Sequence, residues 1–208
     1  FVRILVLDNG MERVQAGAIV QRVLEIETYR TLTLLGLPEA QAIGPSVRKI
    51  ETELPRVMDA MERSDGLENN RQLLDRITRL AAELETGAAG ALFRFGATRA
   101  YADLVRLRLG ALEEKALAGF DSWSEFLDRR LQPAIRTCAS MEERQANLSR
   151  KLTRAAQLLR TRIDIELESQ NRDLLRAMNE RARIQLRLQQ TVEGLSAAAI
   201  TYYISGLI

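Results

Sequence analysis

Apolar positions recur along this chain at spacings of three and four, the signature of one buried helix face. Residues 11–35 carry the pattern through Val14, Ala18, Ile19, Val23, Leu24, Tyr29, Leu32 and Leu35, and Gly36-Leu37-Pro38 closes the run. A second helical stretch spans 38–63, with a kink or break expected at Gly44-Pro45 and a bend at Pro55. After Ser64-Asp65-Gly66, the residues Leu73, Leu74, Ile77, Leu80, Ala81 and Leu84 predict a third helix over 67–85. Gly87 and Gly90 loosen the chain. Ala97, Tyr101, Leu104, Val105, Leu109 and Leu112 then predict a fourth helix over 93–118. Ser122-Trp123-Ser124-Glu125 is a capping box. It opens a short helix, with Trp123 and Phe126 packed inward, that Pro133 interrupts or hands on to the next segment.

That next segment dominates the chain. Residues 134–193 contain neither glycine nor proline and are built from strong helix formers. One continuous helix of about 60 residues would be about 90 Å long. Its stripe runs through Leu148, Leu152, Ala155, Leu159, Ile163 and Leu167, turns polar at Gln170 and Asn171, and resumes at Leu174, Ala177 or Met178, Ala182, Leu188, Val192 and Leu195. This is one broad stripe rather than a strict heptad seam. The polar break either sets register in an oligomer or faces water. The shorter helices are expected to cover the lower half of the stripe. What they leave bare must be covered by another chain, so a homo-oligomer through this stalk helix is expected.

The opposite face is rich in arginine, from Arg144 to Arg187, and predicts salt bridges to Asp164, Glu166, Glu168, Asp173 and Glu180. Arg181, Arg183 and Arg187 precede an uncharged tail, SAAAITYYISGLI, and are candidate contacts to acidic lipid. Tyr202 and Tyr203 in that tail are candidate membrane-interface anchors. The tail falls short of the about 20 residues that a bilayer span needs. It reads as the start of a truncated membrane segment, the alternative being a buried helix end.

At the other end, residues 1–8 (FVRILVLD) alternate like a strand and Asn9-Gly10 makes a turn. A lone strand is not stable, so it is expected to belong to a missing upstream α/β domain. The fold class is therefore all-α in the main. A helical body (11–132) carries a very long C-terminal stalk helix (133–195), preceded by one short strand (1–10) and followed by the membrane segment (196–208).

Composition adds exclusions. The chain is 46% hydrophobic, 28% charged and 5% aromatic, which favours helix over sheet. Net charge is +2 with both signs interspersed, and no basic patch carries interleaved aromatics, so no nucleic-acid partner is expected. One cysteine excludes a disulfide within the chain, and the absence of histidine removes the commonest metal ligand and general acid or base. Cys138 reads as a small residue packed on a helix. There is no phosphate loop, dinucleotide fingerprint, CxxC, HExxH or nucleophile elbow. Glu25 with Glu27, and Glu83 with Glu85, are two apart and lie on different helix faces. Asp164 and Glu168 share a face and could hold a divalent cation with a second chain's help, pairing with Arg160 or Arg172 being the favoured reading. No catalytic, cofactor-binding or metal-binding residue is predicted, and no cofactor. The expected protein is non-enzymatic and works through oligomerisation or partner binding.

The segments EIETYRTLTLLGLP, FRFGATRAYADLV, EFLDRRLQPAIRTC, LLRTRIDIELESQNRDLL and QLRLQQTVEGLSAAAITYY together resemble a bacterial family of unknown function, described as predicted membrane-anchored proteins. The resemblance covers essentially the whole chain and is most specific over VEGLSAAAITYY. It implies an upstream domain of mixed structure, one or two C-terminal membrane helices, and a place at the bacterial inner membrane with the soluble part on the cytoplasmic side. It transfers no site residues. The layout is also similar to that of CorA-type magnesium channels, whose stalk helix continues into a pore helix in a pentamer. That likeness implies divalent cation transport as the alternative function. The Gly-Met-Asn pore signature of those channels is absent from these residues. A third expectation is an enzyme whose active site lies in the upstream domain.

Overall fold

The computed structural model describes residues 3–7, 9–115 and 117–205, with side chains as far as Val192. Four helices follow one another: α1 (Arg13–Leu34), α2 (Gly36–Arg63), α3 (Leu67–Gly110) and α4 (Trp123–Ser205). Only Leu35 separates α1 from α2, and its own backbone is helical (φ −66°, ψ −17°), so the two form one bent leg. Gly66, at φ +94°, supplies the left-handed residue that turns the chain back into α3. The bent leg, α3 and the first half of α4 pack as an antiparallel three-legged bundle. α1 lies against the C-terminal half of α3, and α2 against its N-terminal half.

Burial follows the predicted helical spacing and joins segments that the sequence pattern kept apart. On α3 the buried residues Ile77, Leu80, Leu84, Ala91, Phe95, Thr98, Ala102, Val105 and Leu109 form one seam from end to end. The expected break at Gly87 and Gly90 does not occur. There, small residues let α2 and α4 come close: a methyl group at Gly87 would lie about 4 Å from Ile43 of α2 and from Gln145 of α4. Pro45 and Pro55 likewise stay inside α2, and Pro133 inside α4. All three prolines sit away from the buried stripe of their helices. Each ring removes a helical hydrogen bond on the exposed side, and the buried stripe on the other side holds the helix together.

The body has two apolar cores. The larger joins α2, α3 and α4 through Val47, Ile50, Val57, Ile77, Phe95, Leu152 and Leu159. The smaller gathers Ile26, Val105, Leu109, Leu127 and Leu131. Between them Gly36 lies so close to α3 and α4 that an added Cβ would come within 2.2 Å of Thr98 Oγ1 and 3.0 Å of Cys138 Sγ.

The capping box forms as read: Glu125 N donates to Ser122 Oγ and Ser122 N to Glu125 Oε2, both at 3.2 Å. Trp123 packs against the smaller core. Phe126 is not packed inward as expected: it is 43% exposed, with the Arg130 guanidinium 4.7 Å from its ring centroid. The described part of the strand read in residues 1–8 is not formed either. The described residues 3–7 are non-helical and make no β-ladder, because no strand among the described residues offers them partners. α3 stops at Gly110, short of the expected end near Ala118.

Charged pairs lace the legs together. Arg144 of α4 donates twice to Glu51 of α2, at 2.8 and 2.6 Å. Lys49 and Ser46 of α2 donate to Glu83 of α3 at 2.8 and 2.9 Å. Arg76 of α3 pairs with Glu53 of α2. These donors hold the Glu51, Glu53 and Glu83 carboxyls below the ordinary glutamate range.

Two outcomes follow. Gly36→Ala is expected to destabilise the body by about 1–3 kcal/mol, whereas Gly96→Ala, in open space on α3, is expected to stabilise it by about 0.5–1 kcal/mol. Urea midpoints of the two variants check the contrast. Because the lowered carboxyls bind fewer protons folded than unfolded, their stabilisation is present above the ordinary glutamate pKa of about 4.3 and lost as pH falls through the folded values. Melting temperature should therefore drop between about pH 5 and pH 3, and Glu51→Gln should shallow that slope.

Candidate functional site: the exposed half of the long helix

The tip of the α2–α3 hairpin fixes where α4 leaves the bundle. Arg162 of α4 donates to the Met61 carbonyl in the last turn of α2, a cation capping a helix C-terminus. Asn70 Nδ2 of α3, in a residue only 4% exposed, donates to Glu166 Oε2 at 3.4 Å. Up to this point the stripe is covered: Leu152, Ala155, Leu159 and Ile163 are buried. Beyond it α4 runs on as an unbroken helix to Ser205, clear of the other three helices. The stripe residues Leu174, Met178, Leu188 and Val192 are each between 58% and 61% exposed. The expectation that the shorter helices cover only the lower half of the stripe matches this division.

Charge changes character along the same segment. Arg172 pairs with Glu168 at 2.8 Å and Arg176 with Asp173 at 3.7 Å, as one-turn neighbours do. Farther out, Glu180, Arg181, Arg183 and Arg187 make no ion pair among the described residues. The three arginines read as one lipid-facing group do not share a face. At about 100° per residue, Arg181 falls in line with Leu174 and Leu188, while Arg183 and Arg187 fall together on the far side. Tyr202 and Tyr203 lie within the helical backbone, but their side chains are outside the described residues.

The candidate chemical groups are occupied elsewhere. Glu83 faces α2, whereas Glu85 accepts from Ser149 of α4 at 2.8 Å, so their spacing of two sends them to different neighbours. Asp164 and Glu168 find no third ligand: among the described residues, no three His, Cys, Asp or Glu side chains are placed to hold one metal ion. Cys138 is 2% exposed, and burial pushes its thiol up, which suits a packed small residue.

Two surfaces escaped the sequence pattern. Ala88, Ala89, Leu92 and Ala146 line a shallow apolar cleft between α3 and α4, beside the buried Gln145. Its signal was the small-residue run around Gly87 and Gly90. At the opposite end from the stalk, Val14 and Leu24, expected on the core face of α1, are 82% and 62% exposed, as are the apolar Leu5 and Leu7 just before α1.

Among the described residues no helix is long and apolar enough to cross a membrane. No curated protein and no solved structure matches the chain. A family model described as "Protein of unknown function (DUF3422)" matches residues 1–208, and the chain belongs to that family.

Proposed function

We propose that this protein is a non-enzymatic, membrane-tethered helical scaffold that acts by association. Its three-legged body is held at a distance from a lipid surface by α4, and its partners bind the bare stripe. The observation that carries this reading is the mismatch in leg length. The 83-residue α4 outruns the 44-residue α3 by 39 residues, about 60 Å of helix. Those residues add nothing to the packing of the body, and they end in a segment without charge.

An interfacial helix can attach to a membrane without crossing it, by burying an apolar segment and drawing basic residues to anionic headgroups. Arg183 and Arg187 have no acidic partner among the described residues, share one face of α4 and precede the uncharged tail by about two and a half to three and a half turns. The setting this favours is the cytoplasmic face of a bacterial inner membrane, where the lipid surface is negative.

Flotation with vesicles of phosphatidylcholine mixed with phosphatidylserine tests the reading. The full chain is expected to float with the vesicles, and a chain ending at Glu193 to stay behind. Arg183→Glu with Arg187→Glu should weaken partitioning by roughly 2 kcal/mol or more, since each basic residue near the surface contributes about 1 kcal/mol. Equal behaviour of full and shortened chains would sink the tethering role.

A further inference from the structure

We propose that the distal half of α4 pairs in parallel and in register with the same segment of a second copy of this chain. The inference rests on the associative reading above and names its partner.

Beyond Ile163, alternating steps of four and three pick out Leu167, Gln170, Leu174, Ala177, Arg181, Ile184, Leu188 and Thr191. That is the spacing of the two inner positions of a two-stranded coiled coil. The line continues the face that α2 and α3 already cover at Leu152, Leu159 and Ile163. The seam from Leu167 to Thr191 covers about 36 Å of helix, and a contact face about 11 Å wide offers roughly 400 Å² per copy. Two copies then bury about 800 Å², the size of a weak, concentration-dependent association.

Charge selects the orientation. Arg181 stands in the middle of the seam, one heptad from Leu174 and one from Leu188. In a parallel, in-register pair Arg181 faces Arg181 of the second copy across the seam, and each guanidinium reaches the residue that precedes its counterpart, Glu180 of the second copy, which offsets the like-charge contact. The contact occurs twice, once from each side. Within one chain Glu180 and Arg181 are adjacent, point to different faces and have no ion-pair partner among the described residues. An antiparallel pair centred on the same residues sets Glu180 against Glu180 and Arg181 against Ala177. Parallel pairing also places both uncharged tails on one side, as a single lipid surface requires.

Ala177 is exposed in the single chain and faces its own copy in the pair, so Ala177→Cys in the full chain is the test. Mild oxidation is expected to give a disulfide-linked species of twice the 23.4 kDa chain mass. Arg183→Cys, on the outer face, should stay unlinked, and the buried Cys138 of the parent should not react. Light scattering adds a charge series. Arg181→Glu is expected to weaken association about tenfold or more, and Glu180→Arg combined with Arg181→Glu to restore it. A chain that stays monomeric at micromolar concentration overturns the proposal. So does a dimer in which Ala177→Cys links only to copies carrying Arg181→Cys, which is the antiparallel arrangement. Flotation of a monomeric protein would defeat the pairing alone, whereas cross-linking without flotation would defeat the tethering alone.

Discussion

Gly36, Thr98 and Cys138 meet where there is no room for a methyl group, and the arrangement of the legs depends on that contact. Thr98 Oγ1 donates to the Thr33 carbonyl at 3.2 Å, and Thr33 Oγ1 to the Tyr29 carbonyl at 2.8 Å. Both hydroxyls are buried, and an unpaired buried hydroxyl costs about 1–3 kcal/mol. Each is satisfied by a backbone carbonyl of α1, and the Thr98 bond ties α3 to the bent leg. One turn away Tyr29 stacks on Tyr101 with ring centroids 5.9 Å apart. The larger core then forms on the α2 side of the junction and the smaller on the α1 side.

With the legs placed, their lengths decide what stays bare. The hairpin turn at 64–66 ends the cover over α4 near Glu166. The helix itself does not end, because residues 134–193 hold no glycine or proline to stop it. Apolar surface left in water costs about 25 cal/mol per Å² relative to burial, so the bare stripe from Leu167 to Val192, about seven turns of helix, is a standing drive toward association. The body and the stalk also differ in how their charges are used. In the body, Arg144, Lys49 and Arg76 bridge different helices. In the stalk, pairing among the described residues stays within the helix as far as Arg176 and then stops.

The helices, the capping box at Ser122 and the division of the long stripe were legible in the sequence, because all three rest on local spacing. The continuity of α2, α3 and α4 was not. Glycine costs about 1 kcal/mol in a helix and proline about 3 kcal/mol, and local reasoning takes such residues as stops. The seam from Ile77 to Leu109, and the line Leu131, Ala134 and Cys138 past Pro133, bury enough surface to outweigh those costs. Which apolar residues of α1 would be covered was equally out of reach. Val14 was read on the covered face and Ile26 was not, yet Ile26 is buried and Val14 exposed, because the body ends beside Ile26, where α3 stops at Gly110 and α4 starts at Trp123. The arginine face read as uniform, and only three-dimensional placement separates Arg144, which bridges to α2, from Arg181, which stands in the stripe.

The position of Arg181 in that stripe has a cost, and the cost is informative. A seam of leucines alone would hold two helices together in several registers, each a heptad apart and of nearly equal energy. Gln170 and Arg181 interrupt the repeat at places that do not superimpose after a slip. In the pair proposed above, a shift of one heptad would set Arg181 opposite Leu174 or Leu188 and remove it from Glu180 of the other copy. Polar residues at inner positions thus trade affinity for a single register. The body needs no such device, since the shape of the contact around Gly36 already admits one arrangement. In the proposed pair the two stalk faces would have little shape to lock, and charge is the means left to align them.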